Sequence, residues 1–235
     1  MREVAVMRST PFLLLALLVT LTACNTVHSD KPLFGPEDAL DAPPLRPGLW
    51  LQDDANSECR VNTARSVRKW PACVGWMLVR ETDVASYGQT KQGGEWASFP
   101  FILARGQTRI FQVTSHPGKV DGETTRAKGA EQDDIQYLGL TPKALDAEGR
   151  IIAYRSWNAQ CGPQDETQYP NDSGVHPTTL APLPGLTMTE DGLVCMAHDQ
   201  QAVRGSVEAS RDWDTEIQEA HWVRDPRPDD FAKPR

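Results

Sequence analysis

Residues Phe12 to Val19 form an unbroken apolar run, preceded by Arg8 and followed by Thr20, Leu21 and the small-residue exit Thr22-Ala23-Cys24. It decides which residues are free to fold, and in what redox environment. With Thr20 and Leu21 the run is about ten residues long, half of the roughly 20 that a helix needs to span a bilayer. It has no polar face, so it does not read as a helix packed on a core. A charged start, an apolar middle and a small-residue exit are the pattern of a secretory signal. Residues 1–23 are therefore expected to be a signal peptide, and Met7 opens a tighter version of it than Met1.

Leu21-Thr22-Ala23-Cys24 resembles the lipobox of bacterial lipoproteins. The resemblance implies cleavage before Cys24, a diacylglycerol on its sulfur and a third chain such as palmitate on its freed amine. Two or more acyl chains hold a protein stably on a membrane. The partner so implied is a lipid bilayer, reached through acylated Cys24. Asn25, in place of an inner-membrane retention Asp, favours the inner leaflet of the outer membrane in the bacterial cell envelope, with the domain facing the periplasm. The rival reading is ordinary cleavage after Ala23, leaving Cys24 a free thiol.

Removal of 1–23 takes Arg2, Glu3 and Arg8 with it, so 212 of the 235 residues remain and the formal charge moves from −8 to −9. That is enough chain for one domain with a sizeable core. Its acidity excludes nucleic acid, whose affinity comes from neutralising phosphates with Lys and Arg. Apart from Cys24 there are four cysteines, an even number in an oxidising compartment. Of the three possible pairings, Cys59–Cys73 with Cys161–Cys195 is favoured. A zinc site lacks the close CxxC pair it needs.

Residues 24–46, with prolines at 32, 36, 43 and 44, read as a flexible tether. A single folded domain is expected over 47–225 and a disordered tail over 226–235. Pro47-Gly48-Leu49, Cys59 and Val67-Arg68 are echoed by Pro184-Gly185-Leu186, Cys195 and Val203-Arg204. This suggests an internal duplication of a β-β-α-β unit, in copies 47–81 and 184–225. Asp199 fits as the N-cap of a helix over about 200–212, with Asn62 as the matching cap of a shorter helix that Pro71 stops. A hairpin is expected over 99–104 and 108–114, and further strands over 135–140 and 149–161, with Ile151, Ala153, Trp157, Ala159 and Cys161 on one face. The expected fold class is α+β and β-dominated: an antiparallel sheet with one or two packed helices.

The chain carries no nucleophile elbow, phosphate-binding loop, dinucleotide fingerprint or zinc-protease motif. His28, His116, His176, His198 and His221 are dispersed, and His198 beside Asp199 reads as part of a helix start. Asp53-Asp54 and Asp133-Asp134 point to opposite faces of an extended chain, which suits neither a shared proton nor a shared metal. The acidic stretch 212–219 lacks the glycine and alternating oxygens of a calcium loop. The expectation is no catalytic residue, no metal and no cofactor. Seven tryptophans (Trp50, Trp70, Trp76, Trp96, Trp157, Trp213 and Trp222) suit either a core or a binding surface.

Two functions fit these features. One is a non-catalytic binding or structural role in the envelope, with a protein or the cell wall as partner. Pro47-Gly48-Leu49-Trp50, Cys59 and Trp70-Pro71-Ala72-Cys73 resemble uncharacterised proteobacterial envelope proteins, which carry no activity over. The other is a carrier of a small apolar ligand: Gly48-Leu49-Trp50 resembles the Gly-x-Trp of lipocalins, which implies eight regular strands and is at odds with the repeated helix.

Overall fold

Short runs of Val, Ile, Phe, Tyr and Trp, broken by Gly, Asp and Pro, make strands wherever one face can be buried. The computed structural model describes residues 25–53, 59–71, 73–90, 93–115, 134–163, 181–189, 194–213 and 217–230. Their strands are β1 (Thr26–Ser29), β2 (Gly48–Asp53), β3 (Trp76–Val79), β4 (Asp83–Thr90), β5 (Gly93–Ala104), β6 (Arg109–Ser115), β7 (Asp134–Leu145), β8 (Ile151–Asn158), β9 (Leu186–Met188), β10 (Val194–Ala197) and β11 (Gln218–Arg224). The helix α1 spans Gln200–Ser210.

Eight of these strands close a barrel. In the order β2, β3, β4, β5, β6, β7, β8, β11 each pairs antiparallel with the next, and β11 returns to β2 with Trp222 opposite Trp50. The other three lie outside it, with β1 between β7 and β10 and β9 beyond β10. The expected open sheet with packed helices is thus overturned: the fold is a mostly β, closed eight-stranded barrel with three added strands and one helix. Local alternation identifies strands but says nothing of closure, which depends on β11 finding a strand more than 160 residues earlier. The duplication falls with it. In the first copy β2 and β3 are barrel neighbours; in the second β9 and β10 pair with each other off the barrel, and only β11 joins it.

The chain termini also depart from expectation. Residues 25–46 are no tether: β1 is paired on both edges, and Val27, Phe34 and Leu45 are buried. From β1 the chain runs down the outside of the barrel. Gln112 on β6 holds it there, its Oε1 accepting from the amides of Leu33 and Phe34 and its Nε2 donating to Phe34 O. The proline content misled because proline marks any irregular segment, packed or free. At the other terminus a 3-10 turn at Pro228–Asp230 buries the Asp230 carboxylate against Arg224, so the fold continues to residue 230.

Alternation sends one set of strand side chains into the barrel and the other outward. The outer faces of β5 to β8 are covered by α1, whose Ala202, Val203, Ser206, Val207 and Ser210 are buried. Asp199 caps this helix as the sequence suggests, accepting from the Ala202 amide at 2.8 Å. Each fully buried valine there contributes about 1.5–3 kcal/mol of transfer free energy. Gly139 lets the Trp157 indole lie flat on β7 while its Nε1 donates to Val207 O at 2.8 Å. Cys161 and Cys195 lie paired beneath, Cα atoms 5.5 Å apart, and join the end of β8 to β10. The outer faces of β2 and β3 are covered by residues 59–74, where Val67, Trp70 and Val74 pack on Leu49, Leu51 and Leu78. The Cys59–Cys73 pair closes that segment.

Candidate functional site

The candidate site is the barrel lumen, and its two ends differ. At the end where β2, β4, β6 and β8 begin, the chain entering β2 forms a floor. Leu45 bridges Ile151, the Ile151 amide donates to Pro44 O, and the Arg46 amide donates to Ile151 O. Trp50 and Trp222 are both tied to this segment, their indole N–H groups donating to Arg46 O at 2.9 Å and Pro47 O at 3.0 Å. The Arg46 guanidinium stacks on the Trp222 ring, 3.6 Å from its centroid. Gly48 has φ of 139°, and a Cβ there would collide with the Trp222 indole and lie 2.8 Å from Arg224 O. The Gly-x-Trp spacing thus has a local cause: glycine lets Trp222 close over the strand, and the second tryptophan fills the floor.

Above the floor, Trp50, Leu103, Phe111 and Leu140 are buried and fill the barrel's width. Farther along the same inward faces, Met77, Phe101, Val113 and Leu138 are only half-buried. These four point inward, where the sheet itself walls them from the outside, so their exposed surface opens on the lumen. Eight strands leave an interior just wide enough either to be filled by side chains or to hold one small ligand. Here the inward side chains of the floor half are buried, and the four above them are only partly so.

The far end is polar. The inward rows of β2, β7, β8 and β11 finish in Gln52, Gln136, Asn158 and Gln218, all partly or fully exposed. We refer to this end as the mouth. Arg109 begins β6 at the floor end on the face shared with Phe111; burial lowers its pKa, and no partner for it occurs among the described residues. Tyr154 lies on the inward row of β8. Its ring sits 5.4 Å from that of Trp50, it is 7 % exposed, and its hydroxyl makes no hydrogen bond among the described residues. Burial pushes that hydroxyl far above the usual tyrosine range. It is not among the sealed polar atoms lacking a partner, which are Gln160 Oε1 and Arg211 Nε. The oxygen is therefore buried, without a hydrogen-bond partner among the described residues, and not fully sealed.

At the mouth rim β1 brings three side chains together that the sequence keeps apart. His28 contacts the Asp134 carboxylate through Nδ1 and Thr26 Oγ1 through Nε2, the latter at 2.8 Å. Burial alone would raise the Asp134 carboxyl, but His28, Gln136 and Ser115 together hold it below the usual range. The order hydroxyl, imidazole, carboxylate is that of a hydrolytic relay, yet β1 is paired on both edges, so its amides are engaged rather than free to stabilise an oxyanion. What the chain of contacts does here is fasten β1 to β7.

The remaining residues singled out in the sequence scatter. His198 meets Thr187 and His221 meets Asp53 on the surface; His116, His176, Asp54 and Asp133 lie outside the described residues, as do 214–216 and Cys24 itself. No cluster of metal-ligating side chains occurs among the described residues. Trp50 and Trp222 make the floor, Trp157 lies under α1, and Trp70 packs edge-on against Trp76 outside the barrel. Comparison with protein-family models, with curated proteins and with solved structures finds no match.

Proposed function

We propose that this protein is a membrane-anchored, periplasm-facing binding protein that holds one small apolar ligand in its barrel, in the manner of a lipocalin. One observation carries the reading. Met77, Phe101, Val113 and Leu138 face inward above a filled floor and remain half-exposed. Apolar surface kept from both solvent and core is what an apolar ligand would cover, at about 25 cal/mol per Å². The Gly48-Leu49-Trp50 opening of the first barrel strand supports the likeness.

The lipobox supplies the anchor in this reading, with Cys24 acylated. Thr26 bridges Gln160, just past the mouth end of β8, and only Asn25 separates it from Cys24. Two residues reach about 7 Å at most, so the acyl chains would hold the mouth rim close to the bilayer surface. An apolar ligand would then pass between membrane and lumen with little exposure to water.

The test is a titration of the purified domain with the apolar fluorophore N-phenyl-1-naphthylamine. Saturable emission with one site per chain is expected, abolished by Val113→Trp, which fills the open half. Non-saturable emission, or emission indifferent to Val113→Trp in a variant that melts like the parent, refutes the carrier. Separately, metabolic labelling with a palmitate analogue should mark the protein and fail with Cys24→Ala.

A further inference from the structure

The lumen is not uniformly apolar: Arg109, Tyr154 and Ser156 lie on its inward rows. Tyr154 reaches the lumen from β8 on the inward row it shares with Ser156, while its ring leans on Trp50. The side chain is 93 % buried, being 7 % exposed, and its hydroxyl has no partner among the described residues. A buried hydroxyl without a partner forfeits a hydrogen bond that water supplied in the unfolded chain. Among the described residues several buried hydroxyls are satisfied, while that of Ser156, buried on the same inward row, is like Tyr154 in showing no side-chain bond. Tyr137 meets Ser29, Ser206 donates to Gln160 O, and Ser210 donates to Ser206 O. Of Tyr154 and Ser156, the tyrosine reaches farther into the barrel, its ring against Trp50 on the inward face.

We propose that Tyr154 is the deep polar contact of the ligand site, and that the ligand is an apolar molecule whose leading end carries an uncharged oxygen acceptor, a ketone, aldehyde or ester. The inference rests on the carrier reading and adds the chemistry of what is carried. A tyrosine hydroxyl held in its protonated form is a donor, so it calls for an acceptor. The burial that raises its pKa penalises any anion placed beside it in the same way. No nearby cation relieves that penalty: burial accounts for the shift, with no lowering contribution from Arg109. A carboxylate head group is therefore disfavoured at this depth, and an all-hydrocarbon ligand would leave the hydroxyl unsatisfied. Orientation follows. The carbonyl leads toward the floor, and the bulk of the ligand lies against Phe101, Val113 and Leu138.

The experiment uses 2-acetylnaphthalene, 2-ethylnaphthalene and 2-naphthoate, of similar size and differing in the polar end. Each is titrated against the wild-type domain and Tyr154→Phe. The ketone is expected to bind more tightly than the carboxylate and to weaken about three- to ten-fold in Tyr154→Phe, the loss of one hydrogen bond; 2-ethylnaphthalene should hold its affinity or gain. The carbonyl stretch of bound 2-acetylnaphthalene should also shift to lower frequency in wild type only, which reads the bond directly. Equal responses of ketone and hydrocarbon to Tyr154→Phe overturn the Tyr154 assignment while leaving the carrier intact. Tighter binding of 2-naphthoate, lost in Arg109→Gln, overturns it by moving the polar contact to Arg109. Failure of every probe to bind the wild type removes the carrier reading itself.

Discussion

Asp230 offers a quantitative test of how the barrel is held at its floor end. Its side chain is fully buried, against Arg224 at 13 % exposure. The carboxylate accepts from Arg224 Nη1 at 2.7 Å and Nη2 at 2.9 Å, from the Arg227 amide at 2.8 Å and from the Val67 amide at 3.1 Å. Arg224 in turn donates to Thr63 O and Arg65 O. One carboxylate thus ties the end of β11, the C-terminal turn and the segment covering β2 and β3. Asp230→Ala leaves two amides and half a guanidinium facing a void, and removing one partner of a buried ion pair costs about 3–5 kcal/mol. For a domain of this size each kcal/mol moves the melting temperature by about 2–4 °C, so a fall of roughly 6–20 °C is expected. Asp230→Asn should do no better, because the new amide presents a donor to donors. Burial alone would raise the Asp230 carboxyl, but its hydrogen bonds from Arg224, Arg227 and Val67 hold it below the usual carboxylate range. A depressed folded-state pKa stabilises above the unfolded value near pH 4, and that contribution is lost as pH falls through the folded value. Urea denaturation at pH 7 and pH 3 measures both effects. The wild type should exceed Asp230→Ala by several kcal/mol at pH 7, and by less at pH 3. A loss under 1 kcal/mol at pH 7, or full recovery in Asp230→Asn, refutes the reasoning.

Three further outcomes can be checked on the same material. Gly139→Ala drives a methyl into the Trp157 indole and should destabilise by about 1–3 kcal/mol, as overpacking does, with a change in tryptophan emission; an unchanged denaturation midpoint counts against the packing described. Replacing Cys161 and Cys195 by alanine frees a 34-residue separation and should lower stability by about 4 kcal/mol, against about 3 for the 14-residue separation of Cys59 and Cys73; the reverse order in paired thermal melts would contradict the loop-closure account. Trp50→Ala empties the floor and should cost about 3–5 kcal/mol, and a variant that melts within 2 °C of the parent would show that the floor does not depend on this ring.

Much of the local structure is legible in the chain. The cap at Asp199, the buried face of α1 and the hairpin of β5 and β6 follow from residue type and period, and the cysteine pairing favoured among three is the one the structure brings together. The barrel does not, because closure is a long-range pairing with no local mark. The row from Ile151 to Cys161 shows the limit. Its register against β7 shifts at Pro142 and Ala144, so Ile151 joins the floor while Trp157, Ala159 and Cys161 lie outside under α1. Tyr154, on the opposite face of that row, draws no attention in sequence because a lone tyrosine in a strand is ordinary. Only its burial on an inward row, with no hydrogen-bond partner among the described residues, sets it apart. His28 was invisible for another reason: its partner Asp134 is 106 residues away. A residue in a segment taken for a tether also invites no search for contacts. Asn25, read as a sorting residue, is buried with φ of 85° and donates to Gly162 O, a conformation Asn tolerates better than most. Its identity has a structural cause independent of sorting.

The placement of β1 has a mechanical consequence. If Cys24 is acylated as proposed, any drag on the domain would pass through the residues that follow it, and those residues enter a strand bonded on both sides. Tension along β1 loads its hydrogen bonds to β7 and β10 side by side, in shear, and with them the lock of His28 on Asp134. Bonds loaded together yield together, so the handle resists until the whole strand slips. Were Cys24 acylated as proposed, the anchor would thus meet the fold at a strand paired on both edges.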